Sequence, residues 1–246
     1  MLSVFVINLD RSTYRWQSTS EKLKSLDIPF ERFAAIDGFG KPHPLFARYD
    51  DKLRQRYRRK PLSSCELGCF SSHFLLWEKC VNLSEPIVVM EDDVVIGDNI
   101  VEALNIAAER IDQLRYLRLA GTFMKRRRTK KIETLGSFDL IDHIQGPSGA
   151  LCYVIHPNAA SLLIKYAQVW CIAVDDYMDR YWLHGVDCLS LMPFPIQVGN
   201  NESTMVRQKK VYQPFLIKLR KELCAVLEVI RRTWYRGITR LMKRSV

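Results

Sequence analysis

No run of 18 apolar residues occurs anywhere in the 246-residue chain, so no segment has the uninterrupted length that a bilayer-spanning helix needs. No C-x-x-C pair is present. The cysteines number seven, an odd count, and their spacing to histidine fits no zinc pattern. Cys69, Cys80, Cys152 and Cys188 stand in apolar surroundings and read as reduced core residues. The opening MLSVFVINLD lacks a basic segment and is too short and strand-like for a signal peptide, so the expected location is the cytoplasm. Internal repeats and low-complexity tracts are missing too. With 48% apolar and 26% charged residues, the composition excludes disordered, collagenous and disulfide-scaffold classes.

Charge is absent from the body in net terms. Residues 207–246 hold 12 Lys/Arg against 2 Asp/Glu, a balance of +10, and residues 1–206 hold 25 of each sign. The chain therefore divides into a neutral globule, 1–206, and a cationic tail, 207–246. A nucleic-acid-binding protein is the competing reading of the high pI, but the neutral body and the lack of a recognition motif oppose it.

What is present is an alternation of strand and helix. SVFVINL is a buried strand ending at Asn8-Leu9-Asp10, RSTYRWQSTSEKLKSL has helical spacing, and FERFAAI is a strand stopped by Asp37-Gly38. SSCELGCFSSHFLLWEKCV is a helix, with Ser63 and Glu66 as a capping box. IVVM before Glu91-Asp92-Asp93 is a central buried strand, and DNIVEALNIAAERI is an amphipathic helix with Asp98 at its N-cap. RYLRLA and LCYVIH read as strands, KRRRTKK at 125–131 as a charged loop, Pro157 as a helix start, VDDYMDRYWL as a helix and CLSLM as a strand. The pattern predicts an α/β fold with a mostly parallel central sheet flanked by helices.

Glu91-Asp92-Asp93 stands where the central strand emerges. Ligands of open α/β sheets sit at the carboxyl ends of strands. Three adjacent carboxylates repel one another unless a cation bridges them, and oxygen ligands suit Mg²⁺ or Mn²⁺ carrying a nucleotide diphosphate. A solvated acidic turn is the alternative.

Several segments in fixed order, VFVINLDRSTYRW, RFAAIDG, CELGCFSSHFLLWEK, IVVMEDDV, SGALCYVIHPNAASLL and VDD, resemble the family 25 glycosyltransferases. These are the lipooligosaccharide galactosyltransferases of Gram-negative bacteria and the related collagen galactosyltransferase domains. The resemblance covers roughly residues 3–205. It implies a GT-A type fold, a UDP-galactose donor, a Mn²⁺ (or Mg²⁺) cofactor and inversion at the anomeric carbon. The acceptor it implies is a lipooligosaccharide or lipopolysaccharide core sugar, in the manner of a β-1,4-galactosyltransferase. A glucosyltransferase using UDP-glucose and a nucleotide binder without catalysis are the alternatives.

On that resemblance Asp93 coordinates the metal, with Glu91 as a second candidate ligand, and Glu91 or Asp92 reaches the ribose or a metal-bound water. Asn8, Arg11 and Arg15 would cradle the nucleotide, the amide reading the base and the guanidinium groups approaching phosphate. Asp10 would cap the following helix. Glu66, Phe70, His73 and Trp77 fall at i, i+4, i+7 and i+11, one helical face. Glu66, His73 and Trp77 are thus pocket or acceptor candidates, with capping for Glu66 and a core role for His73 as the alternatives. An inverting transfer needs a base across the sugar from the metal. Asp175 meets that need, then Asp176, the alternative being an acidic helix N-terminus. GPSGA at 146–150 reads as a turn near the donor or as a plain loop. His184, Gln197, Asn200 and Asn201 are weaker candidates for completing the site.

In the tail, Tyr212, Phe215, Leu219, Val226, Ile230, Trp234, Ile238 and Leu241 recur every three to four residues over most of its length, and arginines crowd its second half. Pro214 suits a helix start, and Gly237 is expected to loosen its end. This is the pattern of an in-plane membrane helix. It predicts peripheral association with the anionic inner face of the bacterial inner membrane, where a lipid acceptor resides. A helix packed on the body is the alternative.

Overall fold

The computed structural model describes residues 2–57, 60–122, 128–199 and 215–242. In chain order, β1 (Ser3–Asn8), α1 (Thr13–Ser25) and β2 (Phe30–Ala34) are followed by a 3₁₀ turn at Pro44–Arg48 and the short α2 (Asp51–Tyr57). Then come α3 (Ser64–Leu83), β3 (Ile87–Glu91), β4 (Val94–Ile96), α4 (Ile100–Leu114) and β5 (Tyr116–Arg118). The chain continues through β6 (Thr129–Leu135), β7 (Phe138–His143), β8 (Cys152–Ile155) and α5 (Pro157–Tyr166). It ends with α6 (Val174–Met178), α7 (Tyr181–His184), β9 (Leu189–Met192), β10 (Ile196–Val198) and α8 (Phe215–Met242).

Eight strands form one sheet in the order β2-β1-β3-β8-β5-β9-β7-β6, and β10 pairs with β4 in a separate ribbon. The fold is α/β, as expected, and the sheet is mixed. β2, β1 and β3 run parallel, as do β5 and β9, whereas β8 is antiparallel to β3 and β5, and β7 to β9 and β6. The apolar runs of β1 and β3 are continuous because both sheet faces are covered. Phe5, Ile7, Ile87 and Val89 point into a core with Phe70, Phe74 and Trp77 of α3. The alternate residues Val4, Val6, Val88 and Met90 point into a second core with Leu23 of α1 and Ile100 and Ala103 of α4.

Ser63 and Glu66 form the expected capping box at the start of α3. Other boundaries differ. The residue at the N-cap of α4 is Asn99, and Asp98 instead pairs with Lys22 at 2.8 Å. Asp10 does not cap α1, whose N-cap is Ser12; it pairs with Arg32 at 2.5 Å. Thr129–Lys131 of the expected charged loop belong to β6, paired with β7, and residues 125–127 lie outside the described residues. VDDYMDRYWL breaks into α6 and α7 at Arg180, whose backbone leaves the helical region at ψ 56°, and the Asp179 carboxylate beside the break meets Arg118 and the amide of Ser148. α8 continues through Gly237 to Met242, so that glycine does not end it. Residues 207–214, including Tyr212 and Pro214, lie outside the described residues.

Candidate active site

β1 and β3 lie side by side and parallel, with Ile7 opposite Glu91. Their carboxyl ends therefore open on the same edge of the sheet, the edge where α/β folds bind ligands. Asn8-Leu9-Asp10 leaves one strand and Glu91-Asp92-Asp93 the other. The β4–β10 ribbon clamps the acidic motif from beyond. The Gly199 amide donates to the Asp93 carbonyl at 2.8 Å, and a Cβ at residue 199 would fall 2.7 Å from that oxygen. Only glycine fits there. A cavity at this edge is lined by Arg11, Arg15, Asp37, Cys65, Cys69, His73 and all three acidic residues.

Asp93 is the least satisfied group in it. Its Oδ1 is buried and has no hydrogen-bond partner. Burial, then the charge of Glu91, pushes its carboxyl up to about 6 against the opposing pull of Arg15. An orphaned anionic oxygen beside two further carboxylates is the donor set a hard divalent cation requires. Asp92 is raised by burial and held back by the Asn8 amide. Arg15 lies 3.7 Å from Asp92 and 3.6 Å from Asp93. Arg11 pairs with Asp37 at the cavity mouth.

Asn8 does not offer its amide to a base. Its Nδ2 donates to Asp92 Oδ2 at 2.6 Å and to the Ser12 carbonyl at 3.0 Å, and its Oδ1 accepts from Arg32 Nε at 2.8 Å. It therefore positions Asp92. On α3 only His73 of the expected trio reaches the cavity. Its Nε2 lies 3.3 Å from Glu91 Oε1 and its Nδ1 2.8 Å from the Tyr153 hydroxyl. Glu66 is occupied by the cap, accepting from the Ser63 amide at 2.7 Å and its hydroxyl at 2.8 Å. Trp77 is fully buried, donates Nε1–H to Tyr153 at 3.0 Å and packs on Phe70, so no sugar can stack on it.

Asp175 and Asp176 sit in the first turn of α6, as expected. Asp175 Oδ2 accepts from the Gly149 amide at 3.2 Å, and Asp179 accepts from Ser148 N at 3.0 Å and Arg118 at 2.7 Å. Arg118 also donates to the Gly149 carbonyl. The GPSGA turn is thus a braced loop, with positive φ at Ser148 and Gly149. The Cys69 thiol feels the charge of both acidic groups. Burial, then Glu91, Asp175 and Asp93, raise it well above the ordinary thiol range. Neither Asp175 nor Asp176 is among the residues lining the cavity.

His184 is a core residue remote from this cavity. Its Nε2 lies 3.2 Å from the Tyr177 carbonyl, and burial lowers its pKa to about 4. Gln197 pairs with Val95 in the clamping ribbon, and Asn200 and Asn201 lie outside the described residues. Sequence reasoning missed Asp37, Cys65, Cys69 and the Arg118–Asp179 pair. Of these only Arg118 carried a signal, a charge inside an apolar strand.

The chain matches the family described as Glycosyltransferase family 25 (LPS biosynthesis protein) over residues 1–178. The lipooligosaccharide biosynthesis protein lic2B of Haemophilus influenzae is 28% identical over 168 residues, covering 65% of this chain and 61% of that protein. The lipooligosaccharide biosynthesis protein lex-1 of the same species is 27% identical over 207 residues, covering 70% and 67%. Human procollagen galactosyltransferase 2 is 30% identical over 115 residues, which are 45% of this chain and 18% of that protein. The Anopheles gambiae glycosyltransferase 25 family member is matched over only 16% of its length. On the match across residues 1–178, the chain belongs to glycosyltransferase family 25.

Proposed function

We propose that the chain is an inverting, metal-dependent glycosyltransferase that moves galactose from UDP-galactose to a lipooligosaccharide core acceptor. The observation that carries the proposal is the buried Asp93 Oδ1, without a partner, in a cavity at the ends of two parallel strands. Asp93 would hold Mn²⁺ or Mg²⁺, with Glu91 beside it. Such an ion supplies Lewis-acid stabilisation of charge on the departing diphosphate. Arg11 and Arg15 line the same cavity and orient the phosphates. Asn8 fixes Asp92 for the ribose side. Asp175 takes the proton from the acceptor hydroxyl, with Asp176 next to it as the other candidate.

The relatives' names support both halves of the proposal. Two are lipooligosaccharide biosynthesis proteins and one a procollagen galactosyltransferase. The test incubates the purified full chain and Mn²⁺ with UDP-galactose or UDP-glucose and short core oligosaccharides, and reads product mass and linkage. Hexose transfer from UDP-galactose is expected. Transfer from UDP-glucose alone would change the donor, and no transfer from either would overturn the proposal.

The same reading places the chain on an anionic membrane surface, and α8 supports it. Glu228, Arg232 and Arg236 share one helical face and turn inward. Glu228 pairs with Arg180 at 2.5 Å, Arg236 with Asp142 at 2.7 Å, and Arg232 lies over Trp182. On the opposite face Leu223, Val226, Leu227, Ile230 and Trp234 are exposed, Trp234 by 71%. A helix that turns its polar face to its own protein leaves an apolar stripe for another phase, and the neighbouring Arg231 suits anionic headgroups. Among the described residues no helix is long and apolar enough to cross a membrane.

A further inference from the structure

The acidic motif does not account for everything in the cavity. Cys69 and His73 are one turn apart on α3, and Glu91 ends β3 facing them. One ligand atom from each lies within 4.8 Å of the other two, and His73 Nε2 is already 3.3 Å from Glu91 Oε1. Tetrahedral zinc, with bonds of about 2.0–2.3 Å, needs its ligand atoms roughly 3.5 Å apart, so a small inward closure suffices. The imidazole is held for the task. Trp77 Nε1–H donates to the Tyr153 hydroxyl, which lies 2.8 Å from His73 Nδ1. The Tyr153 hydroxyl thus occupies Nδ1, and Nε2 is the ring nitrogen that faces Glu91 and is placed to meet an ion once its proton is given up. An outer partner of this kind fixes the ring orientation of metal-binding histidines.

We infer that Cys69, His73 and Glu91 form a second metal site in the cavity wall, sharing Glu91 with the site proposed at Asp93 and selective for a borderline-soft divalent ion of the zinc class. Thiolate and imidazole favour such an ion over Mn²⁺ or Mg²⁺, whereas Asp93 offers only oxygen. Three protein ligands leave a fourth position open to the cavity, the arrangement of an accessible zinc site. Binding releases the Cys69 proton to solvent. Sequence spacing does not show the site, because Glu91 comes from a different element than the helical pair.

The test uses the full chain with Co²⁺ or Zn²⁺ alone, so it does not depend on any transferase activity. Wild type is expected to show a cobalt–thiolate charge-transfer absorption, lost in Cys69→Ser and retained in Asp93→Asn. Glu91→Gln is expected to weaken Zn²⁺ binding by more than the about 10–100-fold that changes in outer-shell partners cost. Circular dichroism establishes that each variant is folded; if Cys69→Ser is not, Glu91→Gln carries the test alone. No absorption in wild type, its survival in folded Cys69→Ser, its loss in folded Asp93→Asn, or a loss of Zn²⁺ affinity in Glu91→Gln no greater than that outer-shell range would each overturn the inference. Failure of Asp93→Asn to abolish manganese-dependent UDP binding would count against the proposed function and leave this site standing.

Discussion

Asn8 Nδ2 donates to Asp92 Oδ2 at 2.6 Å, joining the end of the first strand to an acidic motif 84 residues further on. The bond exists because β1 and β3 are parallel neighbours, so the ends of both strands emerge together. Asn8 is itself held from the other side by Arg32. Thr19 adds a hydroxyl bond to the Asp92 carbonyl at 3.0 Å. The motif is thus fixed before any ligand arrives.

Asn8→Ala removes this tie and leaves a half-buried carboxylate short of a donor. The expected cost is about 1–3 kcal/mol of stability, read by urea unfolding at neutral pH, together with weaker manganese-dependent UDP binding. Asp92 is already raised by burial, and Asn8 is the largest influence lowering it. The variant should therefore protonate Asp92 at higher pH than wild type. Stability within about 0.5 kcal/mol of wild type would show that Asn8 does not hold the motif.

The pH behaviour of Asp93 follows from its surroundings. Burial and Glu91 raise it to about 6, against about 3.9 for an unfolded aspartate. Between those values the folded chain binds more protons than the unfolded one, so stability falls as pH rises through the window and stays reduced above it. Asp93→Asn removes the buried charge and should be more stable than wild type at pH 7, by about 1–3 kcal/mol. The same change should abolish manganese-dependent UDP binding. In wild type, manganese should raise the melting temperature above pH 6 and progressively less below it. Thermal melts of both proteins between pH 4 and 7, with and without Mn²⁺, check both signs.

Asp175 and Asp179 are one turn apart and brace the same loop, yet their substitutions should differ in kind. In Asp175→Asn the amide oxygen still accepts from Gly149, so UDP binding should persist. Transfer should fall by about 10²-fold or more with loss of the base. Wild-type turnover would move the base elsewhere. Asp179→Asn leaves Arg118, only 1% exposed, without its ionised partner. That should cost about 3–5 kcal/mol, seen as a large drop in unfolding midpoint. Gly146→Ala attacks the same brace from the loop side, because its Cβ would lie 1.9 Å from the Asp179 carboxylate carbon.

The elements that carry the site were readable because their signals are local. The unbroken apolar runs of β1 and β3, the capping box of α3 and the acidic triplet at a strand end need no knowledge of the rest of the chain. Helical spacing on α3 was read correctly but not what that face meets. The α3 residues that line the cavity are Cys65, Cys69, Ser72 and His73, while Glu66 is turned back to the cap and Trp77 falls in the core beyond. Asp10 and Asp98 are good capping residues that instead pair with Arg32 and Lys22 from other elements of the fold. The Cys69–His73–Glu91 group and the Arg118–Asp179 pair depend on contacts between elements far apart in sequence, which no spacing rule encodes.

The two faces of α8 separate attachment to the body from the proposed attachment to lipid. Trp234 and Ile230, exposed by 71% and 57%, lie on the outward face. Trp234→Glu together with Ile230→Glu should therefore release the chain from anionic vesicles without changing its melting temperature or its transfer to a soluble oligosaccharide. Arg236 faces the other way, bonding Asp142, the Tyr181 hydroxyl at 2.6 Å and the His143 carbonyl at 2.8 Å. Its replacement by alanine leaves Asp142 without that guanidinium and should detach the end of the helix, exposing it to proteolysis, while the apolar stripe still binds vesicles. Headgroup attraction of about 1 kcal/mol per basic residue predicts that wild-type binding weakens with salt and on neutral lipid. Sedimentation with vesicles of mixed anionic and neutral lipid measures all three proteins. Vesicle binding that survives the double glutamate variant would show that this stripe does not meet the membrane.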